Sequence, residues 1–457
     1  MLRDFDRSAQ QNAMGYQWLR WSTEHIGHRL TGSEQGRLAE DAADSLFRLA
    51  GLEHVTAHPF AAEAWSRGRI DLVVLGGDSL WHPGAVALAN TPLEALVQAQ
   101  LVDVGNGLAD DFDRVGDALR GRAALVNLGL VNAQEGAHNL HRSEKAALAI
   151  AHGAAAIVFV NHVDGHVLLT GTASIDGKLI PVPAACIAIE DGRAIRERLA
   201  KGAELSVRLE MTNQSRRVEP RDIIAEIRGT KYPEEMILVG GHLDSWDLAT
   251  GATDNGLGSF SILDLARAMQ ASPHKPERTV RFVLFMGEEQ GLLGSRSLVA
   301  SYRNSGELAH VRCMINLDMS GHPQGFGVVG PAGWPEVLAR LCEGLRSVDS
   351  VAFKGKVSEE IGLHSDHQPF LLANVPVIYP ICDLGKSVYN CYHSSCDDIH
   401  LVDPQAMVDN VRFVGMLIYG LAAESDLPRA FLSEELRKRL IDAHQEEPLR
   451  LGGDWPW

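Results

Sequence analysis

The chain is predicted to be α/β, with a mixed, mainly parallel sheet flanked by helices and an inserted α/β segment. Three observations carry this. From residue 213 onward, short apolar runs alternate with helical patterns, as in a sheet covered on both faces. Between about 60 and 212 the pattern breaks into brief strands and small helices. Successive apolar runs in the later part end in acids and histidines.

In chain order, residues 1–59 read as helical, and 35–50 place Leu38, Ala42, Leu46 and Phe47 on one face. Thr31 or Ser33 is the expected cap of that helix. The insert, 60–212, carries predicted strands at 69–75, 123–128, 154–160, 184–189 and 204–211. Its predicted helices are 143–152 and 191–201. In 213–429 the strands are 236–239, 280–285, 313–316 and 375–379. The helices there are 256–270, 292–302, 335–345 and 404–422, with Ile262, Leu263, Ala266 and Met269 inward on the first. The tail, 430–457, has an amphipathic pattern at 433–444 with Leu436, Leu440 and Ile441 inward. It ends on Trp455 and Trp457, which need cover from their own domain or from a second copy, so monomer and homodimer are both open.

A length of 457 residues exceeds one ordinary core, and 45% hydrophobic with 22% charged residues is a globular balance. The net charge of -17 repels phosphate backbones and anionic lipid, which argues against nucleic acid and membrane surfaces as partners. The apolar stretch 146–160 is interrupted by His152 and Gly153 and is too short to span a bilayer. The opening MLRDFDRSAQQ has no apolar leader core. As written the chain reads as cytoplasmic, or as secreted or periplasmic if a leader was removed. Cys186, Cys313, Cys342 and Cys382 sit in apolar contexts and read as small buried hydrophobes.

The chemistry lies at the strand ends. MILV runs into GGHLD with His242 and Asp244, VRFVLF into MGEE with Glu288 and Glu289, and CMIN into LDMSG with Asp318. Ligands of open α/β sheets bind at the carboxyl ends of strands, so these side chains can converge in one crevice. Asp254 lies in the glycine-rich loop GATDNGLG before a helix. Zinc takes imidazole and carboxylate ligands, and two zincs about 3.5–4 Å apart can share a bridging acid and one water. His242, Asp254, Glu289, Asp318 and His393 make such a set. Glu288, adjacent to a ligand but pointing elsewhere, is then the candidate general base.

The runs GGHLDSWDLATGATDNGLG, FMGEEQGLLGS, NLDMSG, HSDHQPF and CYHSSCDD, with the earlier IGHRLTGSEQGRLAE, resemble the two-zinc aminopeptidase family, metallopeptidase family twenty-eight. Within it the chain is most similar to the plasma glutamate carboxypeptidase-like branch, over roughly residues 20–425. The resemblance implies a zinc exopeptidase fold, two Zn2+ per chain and a peptide substrate. It assigns His242 and Asp318 to one zinc, Glu289 and His393 to the other, Asp254 to both and Glu288 to proton transfer. It also implies that Asp244 orients a ligand histidine and that Tyr392 donates to the oxyanion. The insert resembles a protease-associated domain, which would wall the cleft or serve structure alone. Cys391 and Cys396 have the spacing of a disulfide found in secreted members, whereas a reducing compartment would leave them free.

Two departures stand out. Asn255 follows the bridging acid where many relatives carry a second acid, and His364 replaces an arginine of one secreted type. His364 and His367 have the chemistry of metal ligands, but with five ligands already in place they are expected beside the site or in packing. Aminopeptidase or dipeptidase action on short peptides is the favoured activity. The alternatives are a carboxypeptidase or amidohydrolase for acidic or N-acylated substrates, and a non-catalytic receptor-like protein.

Overall fold

The computed structural model describes residues 1–76, 79–132 and 136–457. Three helices lead, Leu2–Gln11, Gly15–His25 and Glu34–Leu49. Ser33 caps the third, its hydroxyl accepting from the Gly36 amide. The face this helix buries is Gly36, Ala39, Glu40, Ala43 and Phe47, while Leu38 is 46% exposed and Ala42 and Leu46 sit at the margin. The predicted face was therefore rotated. Small residues let the helix lie close against strand Arg221–Ile227.

The first sheet has eight strands, in the order Thr56–Pro59, Arg221–Ile227, Arg278–Phe285, Tyr232–His242, Val311–Asn316, Val377–Ile381, Gly325–Val329 and Lys356–Ser358. The four central strands, Arg278–Phe285 to Val377–Ile381, run parallel, with antiparallel pairs on either side. Strands buried on both faces must be apolar at nearly every position, which is why VRFVLF and MILV read as continuous runs. Ile237 and Val239 face helices Leu257–Ala271 and Pro404–Ala423, whereas Met236 and Leu238 face Leu293–Ser305 and Ser433–Asp442. Phe282 and Phe285, both 0% exposed, fill opposite faces, each worth about 1.5–3 kcal/mol in burial. Among the described residues, the helix long and apolar enough to cross a membrane is Pro404–Ala423 rather than the 146–160 stretch. Its apolar window is 83% buried within the protein, which makes it a core helix.

The second sheet also has eight strands, in the order Ser79–Trp81, Ala62–Gly76, Ser206–Val218, Glu94–Gly105, Ala123–Asn127, Ala156–Val160, Ala184–Ile187 and Ala85–Ala87. Ala62–Gly76 and Ser206–Val218 pair antiparallel and are longer than their predicted cores, because their polar ends carry the chain between the two sheets. Three contacts tie this sheet to the loops of the first. Gln290 exchanges hydrogen bonds with the Trp65 backbone, Arg67 pairs with Asp247 at 2.7 Å, and the Thr170 amide donates to the His393 carbonyl at 2.9 Å.

In the tail, Leu436 and Leu440 are buried and Ile441 half-buried. Trp455 and Trp457 pack edge to face against each other and on the first sheet's core, and Trp457 Nε1 donates to Ser433 Oγ at 2.8 Å. Their cover comes from the chain itself.

Candidate metal centre

Three strand ends, one turn and one loop deliver the site. His242 ends Tyr232–His242, Glu288 and Glu289 follow Arg278–Phe285, and Asp318 follows Val311–Asn316. His393 sits in the loop after helix Lys386–Cys391, beyond strand Val377–Ile381, and Asp254 in the turn Ala252–Gly256. His242 Nε2 lies 3.2 Å from Asp254 Oδ1 and 3.4 Å from Asp318 Oδ1. His393 Nε2 lies 3.0 Å from both Asp254 Oδ2 and Glu289 Oε2. Asp254 thus stands between the two histidines, one oxygen toward each. His242, Asp254 and Glu289 can bring donor atoms within 4.8 Å of one another.

The residues fit a bound divalent cation. His242 Nδ1 is committed to the Asp244 carbonyl at 3.0 Å, so a neutral ring turns the Nε2 lone pair toward two carboxylate oxygens. Acceptors facing acceptors in a dry site are costly unless a cation sits among them. Asp254 Oδ2 and Glu289 Oε1 are buried and make no aligned hydrogen bond among the described residues. The local field has the same sense. Burial alone would lower His242, yet Glu288, Asp318 and Asp254 push it well up. His393 is likewise raised against its burial by Glu289 and Asp254. Asp254 is held low, against its own burial, by the two imidazoles. Burial pushes Glu288 well above the usual carboxylate range, and Glu289 and Asp318 add to this while His242 opposes it.

Asp244 meets His242 through its backbone. The His242 ring is anchored by the Asp244 backbone oxygen, while the carboxylate Oδ1 lies 3.7 Å from Nδ1, beyond a hydrogen bond. That carboxylate accepts from Thr31 Oγ1 at 2.9 Å and the Glu288 amide at 3.2 Å, tying the Glu288 loop to the histidine strand. Tyr392 stacks on His393 at 3.8 Å, and burial raises its hydroxyl, keeping it a donor. Cys391 and Cys396 are disulfide-bonded around His393, whose φ of 53° is a left-handed conformation that a constrained loop must hold. His367 is away from the cluster, buried between Asn316 Nδ2 and the Gly362 carbonyl. His364 stacks on His141 at 5.1 Å.

Four supporting residues were not singled out from the sequence. Asp397 accepts from the Thr253 amide and hydroxyl and from the Asp254 amide, fixing the turn that aims Asp254. Ser365 Oγ donates to Asp318 Oδ2 at 2.7 Å. Arg29, fully buried, donates to the carbonyls of Leu243, Thr250 and Gly251. Arg142, from the second sheet's helix Arg142–Ala151, lines the cavity with Glu288, Glu289, Tyr392 and His393. Asp397, Ser365 and Arg29 lie inside CYHSSCDD, HSDHQPF and IGHRLTGSEQGRLAE, where each residue was visible but its target was not, and Arg142 lies in none of these runs.

Family models match the chain in two places, "Peptidase family M28" over residues 222–418 and "PA domain" over residues 96–195. Aminopeptidase YwaD of Bacillus subtilis is 32% identical over 363 residues, covering 76% of this chain and 72% of that protein. Carboxypeptidase Q of Bos taurus is 26% identical over 424 residues, 91% of this chain and 87% of its own length. Among solved structures, a peptidase M28 precursor from Shewanella amazonensis SB2B superposes with a TM-score of 0.81 at 23% identity, covering 94% of this chain and 98% of that one. At that identity the likeness speaks for the fold.

Proposed function

The chain belongs to peptidase family M28, a zinc-dependent peptidase as its motifs implied, and from that premise we propose a co-catalytic two-zinc exopeptidase acting on dipeptides and short peptides. The observation that carries this reading is the convergence of two imidazoles and three carboxylates, with Glu288 left over on the same cavity. His242 and Asp318 would hold one zinc, Glu289 and His393 the other, and Asp254 both. Bound there, the zinc pair supplies Lewis acidity and an acidified water. Glu288 takes the water's proton as a carboxylate and returns it to the leaving amine. The Tyr392 hydroxyl donates to the oxyanion. The carboxylate-rich wall receives the substrate's amino terminus.

The division into 1–59, 60–212, 213–429 and 430–457 belongs to the same proposal, with 60–212 as the protease-associated insert that walls the cleft. The Cys391–Cys396 bond supports an oxidising compartment, secreted or periplasmic, over the cytoplasm. The aminopeptidase and carboxypeptidase names of the relatives support exopeptidase action without choosing the end attacked.

Metal content and hydrolysis of Leu-p-nitroanilide, dipeptides and N-acetyl dipeptides, before and after chelation, test this. Two zincs per chain and chelator-sensitive cleavage of free-amino substrates are expected. Glu288→Gln should lower kcat by about 10²–10⁴-fold while zinc content holds. Cleavage confined to N-acetyl dipeptides would move the activity to the amidohydrolase alternative, and full activity in Glu288→Gln would remove Glu288 from the mechanism.

A further inference from the structure

Strand Ala62–Gly76 of the second sheet approaches the metal centre at Trp65 and Arg67. The Trp65 amide donates to Gln290 Oε1 at 2.9 Å and its carbonyl accepts from Gln290 Nε2 at 3.2 Å; Gln290 directly follows Glu289. Arg67 spreads one guanidinium over several partners. Its Nη2 donates to Asp247 Oδ1 at 2.7 Å and to Thr170 Oγ1 at 3.0 Å, its Nε to Asp247 Oδ2 at 3.3 Å, and its Nη1 to the Ala87 carbonyl. Thr170 stands in the loop between Ala156–Val160 and Ala184–Ile187, and its amide donates to the His393 carbonyl at 2.9 Å. Beside that bond, Leu169 and Ser394 form an antiparallel bridge. Asp247 lies in the segment between His242 and Asp254.

The hydrogen bonds from the second sheet thus arrive next to Glu289 and at His393. The other two candidate ligands take theirs from the first sheet, His242 Nδ1 from the Asp244 carbonyl and Asp318 Oδ2 from Ser365 Oγ. There the second sheet contributes a ring stack, His141 on His364, rather than a hydrogen bond. The Arg67 and Asp247 side chains are 11% and 19% exposed, so solvent and salt screen their pairing little. Burial would raise Asp247, yet the charge and hydrogen bonds of Arg67 hold it below the usual carboxylate range. His393, at a φ of 53°, keeps a backbone conformation that its surroundings must impose.

We propose that Arg67 is a positioning residue for one metal position, its guanidinium locking Asp247 to Thr170 so that the second sheet fixes Glu289 and His393 while the first sheet alone sets His242 and Asp318. This rests on the two-zinc reading above. Outer groups that hold ligands in place tune metal affinity without touching the ion.

The test is zinc binding to the full chain by competition with a chromophoric chelator, alongside the Tm of the zinc-free protein. Arg67→Met, which keeps the stem beside Trp65, should weaken one of the two stepwise affinities by about 10-fold and leave the other within about twofold. In a His393→Ala background, where the His242–Asp318 position remains, the same change should have no effect. Arg67→Lys, which keeps the charge and loses the planar fork, should recover part of the loss. Thr170→Val removes the hydroxyl that Arg67 holds and keeps the amide on His393; it should weaken the same step several-fold, and it carries the test if Arg67→Met does not fold. Equal weakening of both steps together with a lower zinc-free Tm would make Arg67 a general prop of the fold and overturn the proposal, as would unchanged affinities in both Arg67→Met and Thr170→Val. A wild type that takes up one zinc at saturation would sink the two-zinc reading itself; Arg67 is then judged separately, by whether Arg67→Met shifts that single affinity.

Discussion

Asn255 is fully buried, and both ends of its side chain bind backbone. Its Nδ2 donates to the His242 and Leu317 carbonyls, and its Oδ1 accepts from the Gly258 and Met319 amides. It thereby laces the ends of the His242 and Asp318 strands to the start of a helix, and Gly258 must lack a Cβ, which would stand 2.3 Å from that Oδ1. A carboxylate would turn lone pairs toward two carbonyl oxygens, so the amide is a requirement here. Asn255→Ala should cost about 2–4 kcal/mol by denaturant melts and weaken zinc retention, and Asn255→Asp should be no better. If Asn255→Asp matched wild type, this account of the amide would fail. Farther out, His322 sits between Asp409 at 2.8 Å and Asp403 at 3.1 Å. Hydrogen bonding to Asp409, then to Asp403, raises its pKa above the ordinary 6.5. A raised imidazole stabilises the fold fully below 6.5 and loses that contribution as pH climbs through the folded value. The Tm gap between wild type and His322→Gln should therefore be wider at pH 6 than at pH 9. The site's ionisable side chains were legible because motif and strand end coincide. Arg29, Ser365 and Arg142 were not, since their partners are distant carbonyls, a distant carboxylate or a cavity.

At the scale of elements, the loop that offers His393 is held from three sides. The Cys391–Cys396 bond closes it, the Thr170 amide binds the His393 carbonyl, and Trp246 packs edge-on to the ring at 6.1 Å. The bond spans only 5 residues, so it removes little chain entropy, and its effect falls on the placement of His393. Replacing both cysteines with serine should weaken zinc binding by about 10-fold, read by chelator competition, with little change in global Tm. A large Tm loss with unchanged zinc affinity would assign the bond to folding instead. Strands such as Arg278–Phe285 were readable because burial on both faces leaves an unbroken apolar run. Strand Arg221–Ile227 was passed over, since RDIIAEI begins and ends among charges. The face of Glu34–Leu49 was misplaced because alanines and a glycine, chosen for close approach, carry less hydrophobic signal than Leu38 beside them.

Taken whole, a molecule of net charge -17 surrounds its cleft with a negative field. Dipeptides with an amino-terminal lysine should show kcat/KM falling as salt is raised from about 0.01 to 0.15 M, where the screening length shrinks from roughly 30 to 8 Å, while neutral dipeptides change little. Parallel salt profiles would show that the field does not reach the cleft. The two-sheet architecture was legible from the change of pattern near residues 60 and 212, but the way the sheets meet was not. Among the contacts that join them are Trp65 with Gln290, Arg67 with Asp247, Thr170 with His393 and His141 with His364. Those contacts constrain recombination. The strands Ala62–Gly76 and Ser206–Val218 invite a crossover at their polar ends, and a sheet grafted there from a relative could keep the contacts made through the Trp65 and Thr170 backbone whatever side chains it brought. The Arg67–Asp247 pair is an exception, so a chimaera must bring an arginine to meet Asp247 or exchange that loop together with the sheet.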